Sequence, residues 1–70
     1  MAERRLGNRL KEFRARQALS QADLAELAGV SRKTVNTVEN NVFVPSTTLA
    51  LTLARVLHAS VEELFYLIED

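Results

Sequence analysis

Between Gln21 and Asn40 the chain reads QADLAELAGVSRKTVNTVEN, and only Gly29, Val30 and Ser31 separate two stretches of helical periodicity. So short a connection forces two helices to cross steeply, which demands a small side chain where they come closest. Ala25 meets that demand. Gly29 takes the left-handed backbone conformation that ends the first helix without strain. Val35 and Val38 close the core from the second helix, with Leu24 and Ala28 from the first. Ser20 and Asp23 form a capping pair at the start of the first helix, with Leu19 packing on Leu24. Ser31 caps the second, where Val30 meets Val35. Asn40 and Asn41 end it, since Asn tolerates the left-handed conformation better than other residues with a side chain.

The flanking sequence adds three more helical segments. One opens at Asn8, a good N-cap, carries Leu10, Phe13 and Arg14 on one side and ends at Gln17 and Ala18. Another opens at Pro45 and Ser46, with Leu49, Leu53, Val56 and Leu57 recurring on a core face. The last starts at Ser60, where Glu63 completes an S-x-x-E capping box, and carries Val61, Leu64, Phe65 and Ile68 on one side. Residues 65–70 read equally well as helix or as extended chain. The expected fold is all-α, a compact five-helix single domain over residues 1–70 whose central motif spans 20–40.

Seventy residues bury only about 60% of the surface that the unfolded chain exposes, so such a domain needs support. With no cysteine and one histidine, disulfides and metal are not expected to supply it, which leaves a partner subunit. The lack of cysteine fits a reducing compartment, no apolar run approaches the roughly 20 residues of a membrane span, and the N-terminus does not resemble a signal peptide, so a cytoplasmic location is expected. No nucleophile and base pair, metal set or glycine-rich phosphate loop is present. Neither catalysis nor a cofactor nor a small-molecule ligand is expected. His58 reads as a turn residue. Net charge is zero, yet residues 1–17 carry six cations (Arg4, Arg5, Arg9, Lys11, Arg14, Arg16) against Glu3 and Glu12, whereas residues 45–70 carry Arg55 against Glu62, Glu63, Glu69 and Asp70.

On the second helix of the central pair, at about 100° per residue, Arg32, Asn36, Asn40, Lys33 and Thr37 fall within an arc of about 140°, and Thr34, Val38 and Val35 fall outside it. No acid interrupts the polar arc. Its residue types are those that read base edges in a major groove: Arg and Lys donate to guanine O6 and N7, Asn pairs bidentately with adenine, and the Thr methyl can touch thymine.

The segment LSQADLAELAGVSRKTVNTVENNVFVPS resembles the DNA-binding domain of the phage repressor and Cro (XRE-like) family of helix-turn-helix transcription regulators, and LARVLHASVEELF is similar to the family's fourth and fifth helices. The resemblance covers residues 8–68 and implies a lambda-repressor-like domain that binds double-stranded DNA, with helix 31–40 as the recognition helix in the major groove. It implies base reading by Arg32, Lys33, Asn36 and Thr37. Phosphate contacts would come from Gln21, Ser31, Asn40, Asn41 and Ser46, and from the backbone N–H groups at the starts of helices two and four. Arg14 and Glu39 stand where the family places an ion pair between helices one and three. Ala18, Asn41 and His58 stand where glycine is usual after helices one, three and four.

One such module makes few base contacts, so a homodimer on a pseudopalindromic operator is expected. The C-terminal segment, about residues 61–70, offers the interface through Tyr66, Leu67 and Ile68, joined by Leu6 if the two chain ends run extended side by side. The alternative is an antitoxin or co-regulator acting mainly through protein contacts at its acidic, aromatic C-terminal end.

Overall fold

The computed structural model describes residues 5–69. Glu3, Arg4 and Asp70, counted above in the charge asymmetry, lie outside the described residues. The elements run β1 (Arg5–Asn8), α1 (Leu10–Arg16), α2 (Gln21–Ala28), α3 (Arg32–Glu39), α4 (Thr47–Val56), α5 (Val61–Leu64) and β2 (Phe65–Ile68). Five helices are present as expected, but all-α needs correction, because β1 and β2 pair antiparallel in a two-stranded sheet. Its register sets Arg5 against Ile68, Leu6 against Leu67, Gly7 against Tyr66 and Asn8 against Phe65. α5 makes barely one turn before Phe65 goes extended at φ −124°, ψ 144°. The two ends of the chain satisfy each other's backbone groups, and the Arg9 N–H donates to the Leu64 carbonyl at 2.8 Å to lock the corner.

Asn8 is therefore the last strand residue and not the cap residue of α1. Arg9 holds that position without a side-chain bond. Asn8 still serves the helix start from one residue further back, its Oδ1 accepting from the Leu10 N–H at 3.0 Å. The other helix starts are as read. Ser20 with Asp23 and Ser60 with Glu63 form full capping boxes, and Ser31 and Ser46 accept from Thr34 and Leu49. The Ser20 backbone N–H, and then its hydroxyl, hold the Asp23 carboxyl below its ordinary range.

Leu10, Leu24, Ala25, Val35, Val38, Leu53, Ala54, Leu57, Leu64 and Phe65 form the buried core, drawn from all five helices and β2. α2 packs on both α3 and α4, so its one buried stripe, Leu24 and Ala25, seats the recognition helix on the rest of the domain. Each fully buried leucine stabilises by about 1.5–3 kcal/mol, a large share for a domain of this size.

Four helices end in one and the same way. After α1 the Ala18 N–H donates to the Ala15 carbonyl and the Leu19 N–H to that of Arg14; Gly29 and Val30, Asn41 and Val42, and His58 and Ala59 repeat the pattern after α2, α3 and α4. The pivot of each turn lies in the left-handed region, with φ of 54° at Ala18, 73° at Gly29, 59° at Asn41 and 55° at His58. Alanine is the poorest choice there, because its Cβ meets the following carbonyl and no side-chain hydrogen bond compensates. Ala18→Gly is expected to raise stability by up to about 1 kcal/mol, read as an increased midpoint in thermal melts, since the relief of strain exceeds the added freedom of the unfolded chain. A lowered midpoint would contradict it.

The sheet contains one close contact that the sequence reading did not anticipate. The Tyr66 ring lies over Gly7, where an added Cβ would come within 2.5 Å of Cε2, and the Arg9 guanidinium sits 5.1 Å from the ring centre on a cation–π contact. A glycine covered by a cross-strand aromatic pins the register of a short hairpin-like pair.

Candidate nucleic-acid interface

α3 turns Val35 and Val38 into the core and leaves Arg32, Lys33, Asn36 and Asn40 exposed on the opposite side. The angular reading placed these four together, and the fold keeps them so. Thr37, the fifth residue of that arc, is half-buried, and its hydroxyl donates back to the Thr34 carbonyl at 3.0 Å, which leaves its methyl as the group it can offer. Gln21, at the first turn of α2, lines one shallow surface hollow with Arg32, Lys33 and Asn36. The two helices of the motif thus contribute to a single surface.

The acid of α3 is turned away from that surface. The Glu39 side chain is only 5% exposed, and Arg14 on α1 clamps it with Nε at 2.8 Å from one carboxylate oxygen and a second guanidinium nitrogen 3.3 Å from the other. The bond to Glu39 raises the Arg14 pKa above its already high ordinary value, so the guanidinium remains charged. Arg14 also donates to the Leu19 carbonyl at 2.8 Å, which ties the turn before α2 into the same joint. The expected ion pair between helices one and three is thus present, and it keeps a negative charge off the exposed face.

The remaining candidates lie at helix ends. Ser31 and Ser46 are exposed, but their hydroxyl oxygens already cap α3 and α4. Asn40 and Asn41 are exposed at the end of α3. Asn8 went unrecognised as part of this region: its Nδ2 donates to the Val38 carbonyl and to Asn41 Oδ1, both at 2.9 Å, and so joins β1 to the end of α3. Thirty residues separate Asn8 from Val38, and no local pattern announces such a contact.

The candidates of the C-terminal segment divide between two surfaces. Tyr66 and Ile68 share one face of the sheet with Gly7, whereas Leu6 and Leu67 share the other with Phe65. Tyr66 is 43% and Leu67 56% exposed; Leu6 is half-buried against the core. On the Leu67 side the loop after α3 exposes Phe43 and Val44, and α4 exposes Leu51. These residues border two adjoining hollows that share Leu6, Val44, Pro45 and Phe65.

A family profile described as a helix-turn-helix domain matches residues 5–65. The HTH-type transcriptional regulator YgzD of Bacillus subtilis is 41% identical over 63 residues, covering 90% of this chain and 96% of its own. Among solved structures, the restriction-modification controller protein C.AhdI from Aeromonas hydrophila superposes with a TM-score of 0.75 at 38% identity, over 79% of this chain and 83% of that one. The clp gene regulator ClgR from Corynebacterium glutamicum gives 0.71 at 31% identity, over 74% and 55%. The tightly turned pair α2 and α3 lies within the matched residues, and the chain belongs to the helix-turn-helix family of transcriptional regulators of the phage repressor and Cro type.

Proposed function

We propose that the chain regulates transcription by placing α3 in the major groove of double-stranded DNA, where Arg32 and Lys33 read guanine, Asn36 reads adenine and the Thr37 methyl meets thymine. The observation that carries this reading is the outer face of α3, where two cations and two amides are exposed together while the helix's one acid is buried against Arg14. Gln21, which shares a hollow with that face, and Ser31, Asn40, Asn41 and Ser46, at helix ends, serve the phosphates. The start of α4 suits a phosphate better than the start of α2, because its first turn carries no acid whereas α2 has Asp23 there.

The working unit in this reading is a homodimer that sets two recognition helices about 34–36 Å apart on a pseudopalindromic site. Of the two faces of the sheet, the one with Leu67 is the better interface, since it continues into exposed Val44, Phe43 and Leu51. Tyr66, on the other face, is already engaged with Gly7 and Arg9.

Sites selected from a random DNA pool supply the test. Arg32→Ala and Asn36→Ala are each expected to cost about 1–3 kcal/mol on the selected site and to relax preference at one base position, and wild-type affinity is expected to fall steeply with salt as phosphate contacts release counterions. Equal losses on selected and random DNA from both substitutions would sink the base-reading roles.

A further inference from the structure

From the Arg14–Glu39 pair to the exposed face of α3 the side chains form one hydrogen-bonded line. Glu39 Oε1 accepts from Gln21 Nε2 at 3.1 Å, Gln21 Oε1 accepts from Asn36 Nδ2 at 3.4 Å, and Asn36 Oδ1 accepts from Asn40 Nδ2 at 3.2 Å. The inner end of this line is the buried carboxylate held by Arg14, and the outer end is a pair of exposed amides. The direction of every bond in the line follows from that inner end. A carboxylate only accepts, whereas an amide has a donor end and an acceptor end that exchange when it turns over. Glu39 therefore admits Gln21 in one orientation, with Nε2 inward and Oε1 outward. An outward Oε1 in turn faces the donor end of Asn36, and Asn40, free to turn over, follows by donating to the Asn36 oxygen.

Asn36 is left with one N–H and one oxygen lone pair, in a fixed spatial order. That pair matches N7 and the N6 amino group on the major-groove edge of adenine. An amide free to turn over offers the two groups in either order and discriminates less between bases. We infer that Glu39 and Gln21 are positioning residues for base selection: Glu39, buried and away from any DNA, sets the amide orientation of Asn36 through Gln21. The inference rests on the base-reading role of Asn36 proposed above. Arg32 and Lys33 stand outside the line and serve as its internal reference.

The experiment is selection from a random double-stranded DNA pool by the wild-type chain, Asn36→Ala, Gln21→Ala, Glu39→Gln and the Gln21→Ala/Glu39→Gln double variant, at a temperature where circular dichroism shows each to be folded. Glu39→Gln retains size and an acceptor for Arg14, but its own amide can turn over. Asn36→Ala identifies the position that Asn36 reads. At that position, Glu39→Gln and Gln21→Ala are each expected to lower discrimination between bases by about fivefold to tenfold, the double variant no further than either, with the guanine positions of Arg32 and Lys33 unchanged. A merely structural role for Glu39 would lower discrimination at every position alike, and that result overturns the inference. So does an Asn36 position that stays as sharp as in the wild type. If Glu39→Gln does not fold, Gln21→Ala still tests the link to Asn36, and an Asn36 position that stays sharp in that variant overturns the inference. An Asn36→Ala variant that changes no position overturns the base-reading role and the inference with it, whereas an Asn36→Ala variant that changes one position, which Glu39→Gln leaves sharp, overturns the inference alone.

Discussion

Glu39→Ala is expected to lower the unfolding free energy by about 1–3 kcal/mol, because it leaves the partly buried Arg14 guanidinium with the Leu19 carbonyl but without its carboxylate. For a domain of this length, total stability at about 0.05–0.15 kcal/mol per residue comes to roughly 3.5–10 kcal/mol, so the loss is a large share of it and the variant should unfold at a clearly lower urea concentration. The loss has two parts. One is the bidentate pair itself, whose partners are 15% and 5% exposed. The other is the joint it holds, since Arg14 anchors the turn before α2 through the Leu19 carbonyl while Glu39 anchors Gln21. Urea unfolding of Glu39→Ala beside Arg14→Met/Glu39→Leu separates the charge from the packing. The double variant removes both charges and restores apolar volume, and it should be the more stable of the two. Equal stabilities would mean that the stranded charge costs nothing and that the pair acts only through geometry.

The second large effect is expected at Leu67. If the face it shares with Leu6 is the two-fold interface, Leu67→Glu places a carboxylate twice in one apolar contact, and self-association should weaken by about 100-fold or more. Sedimentation equilibrium over the micromolar range measures this directly, and affinity for a pseudopalindromic site should fall with it while binding to a half-site is retained. Tyr66→Ala is the control, because Tyr66 lies on the other face of the sheet and its loss removes only the cover over Gly7 and the contact with Arg9. A wild-type chain that sediments as a monomer both free and on DNA would refute the dimer. A Tyr66→Ala variant that dissociates while Leu67→Glu does not would place the interface on the opposite face.

The helix pair at the centre of the chain was legible because everything that specifies it is local. Capping at Ser20, Ser31, Ser46 and Ser60 involves partners three residues away, and the turn at Gly29 closes with bonds to Ala25 and Glu26. Of the left-handed pivots, Asn41 was readable from the residue itself, whereas Ala18 and His58 were expected only because the resembled family usually has glycine there. The outer face of α3 follows from the angle per residue alone.

What the tertiary structure decided is non-local and short. Residues 5–8 and 65–68 carry too little periodicity to declare a strand, and each segment becomes one only because the other arrives beside it to take up its backbone bonds. That pairing moved Asn8 from helix cap to strand end and put it in contact with α3, 30 residues away. It also gave Gly7 a role beneath Tyr66 and sent Tyr66 and Leu67 to opposite faces, a split that no reading of a helix or a loose tail contains. The orientation of the amide line from Glu39 through Gln21 to Asn36 arises in the same way. The residue types were visible from the start, but their order of donor and acceptor exists only once α1, α2 and α3 are packed, since a carboxylate can direct an amide 18 residues away only when the fold has brought the two within hydrogen-bond reach.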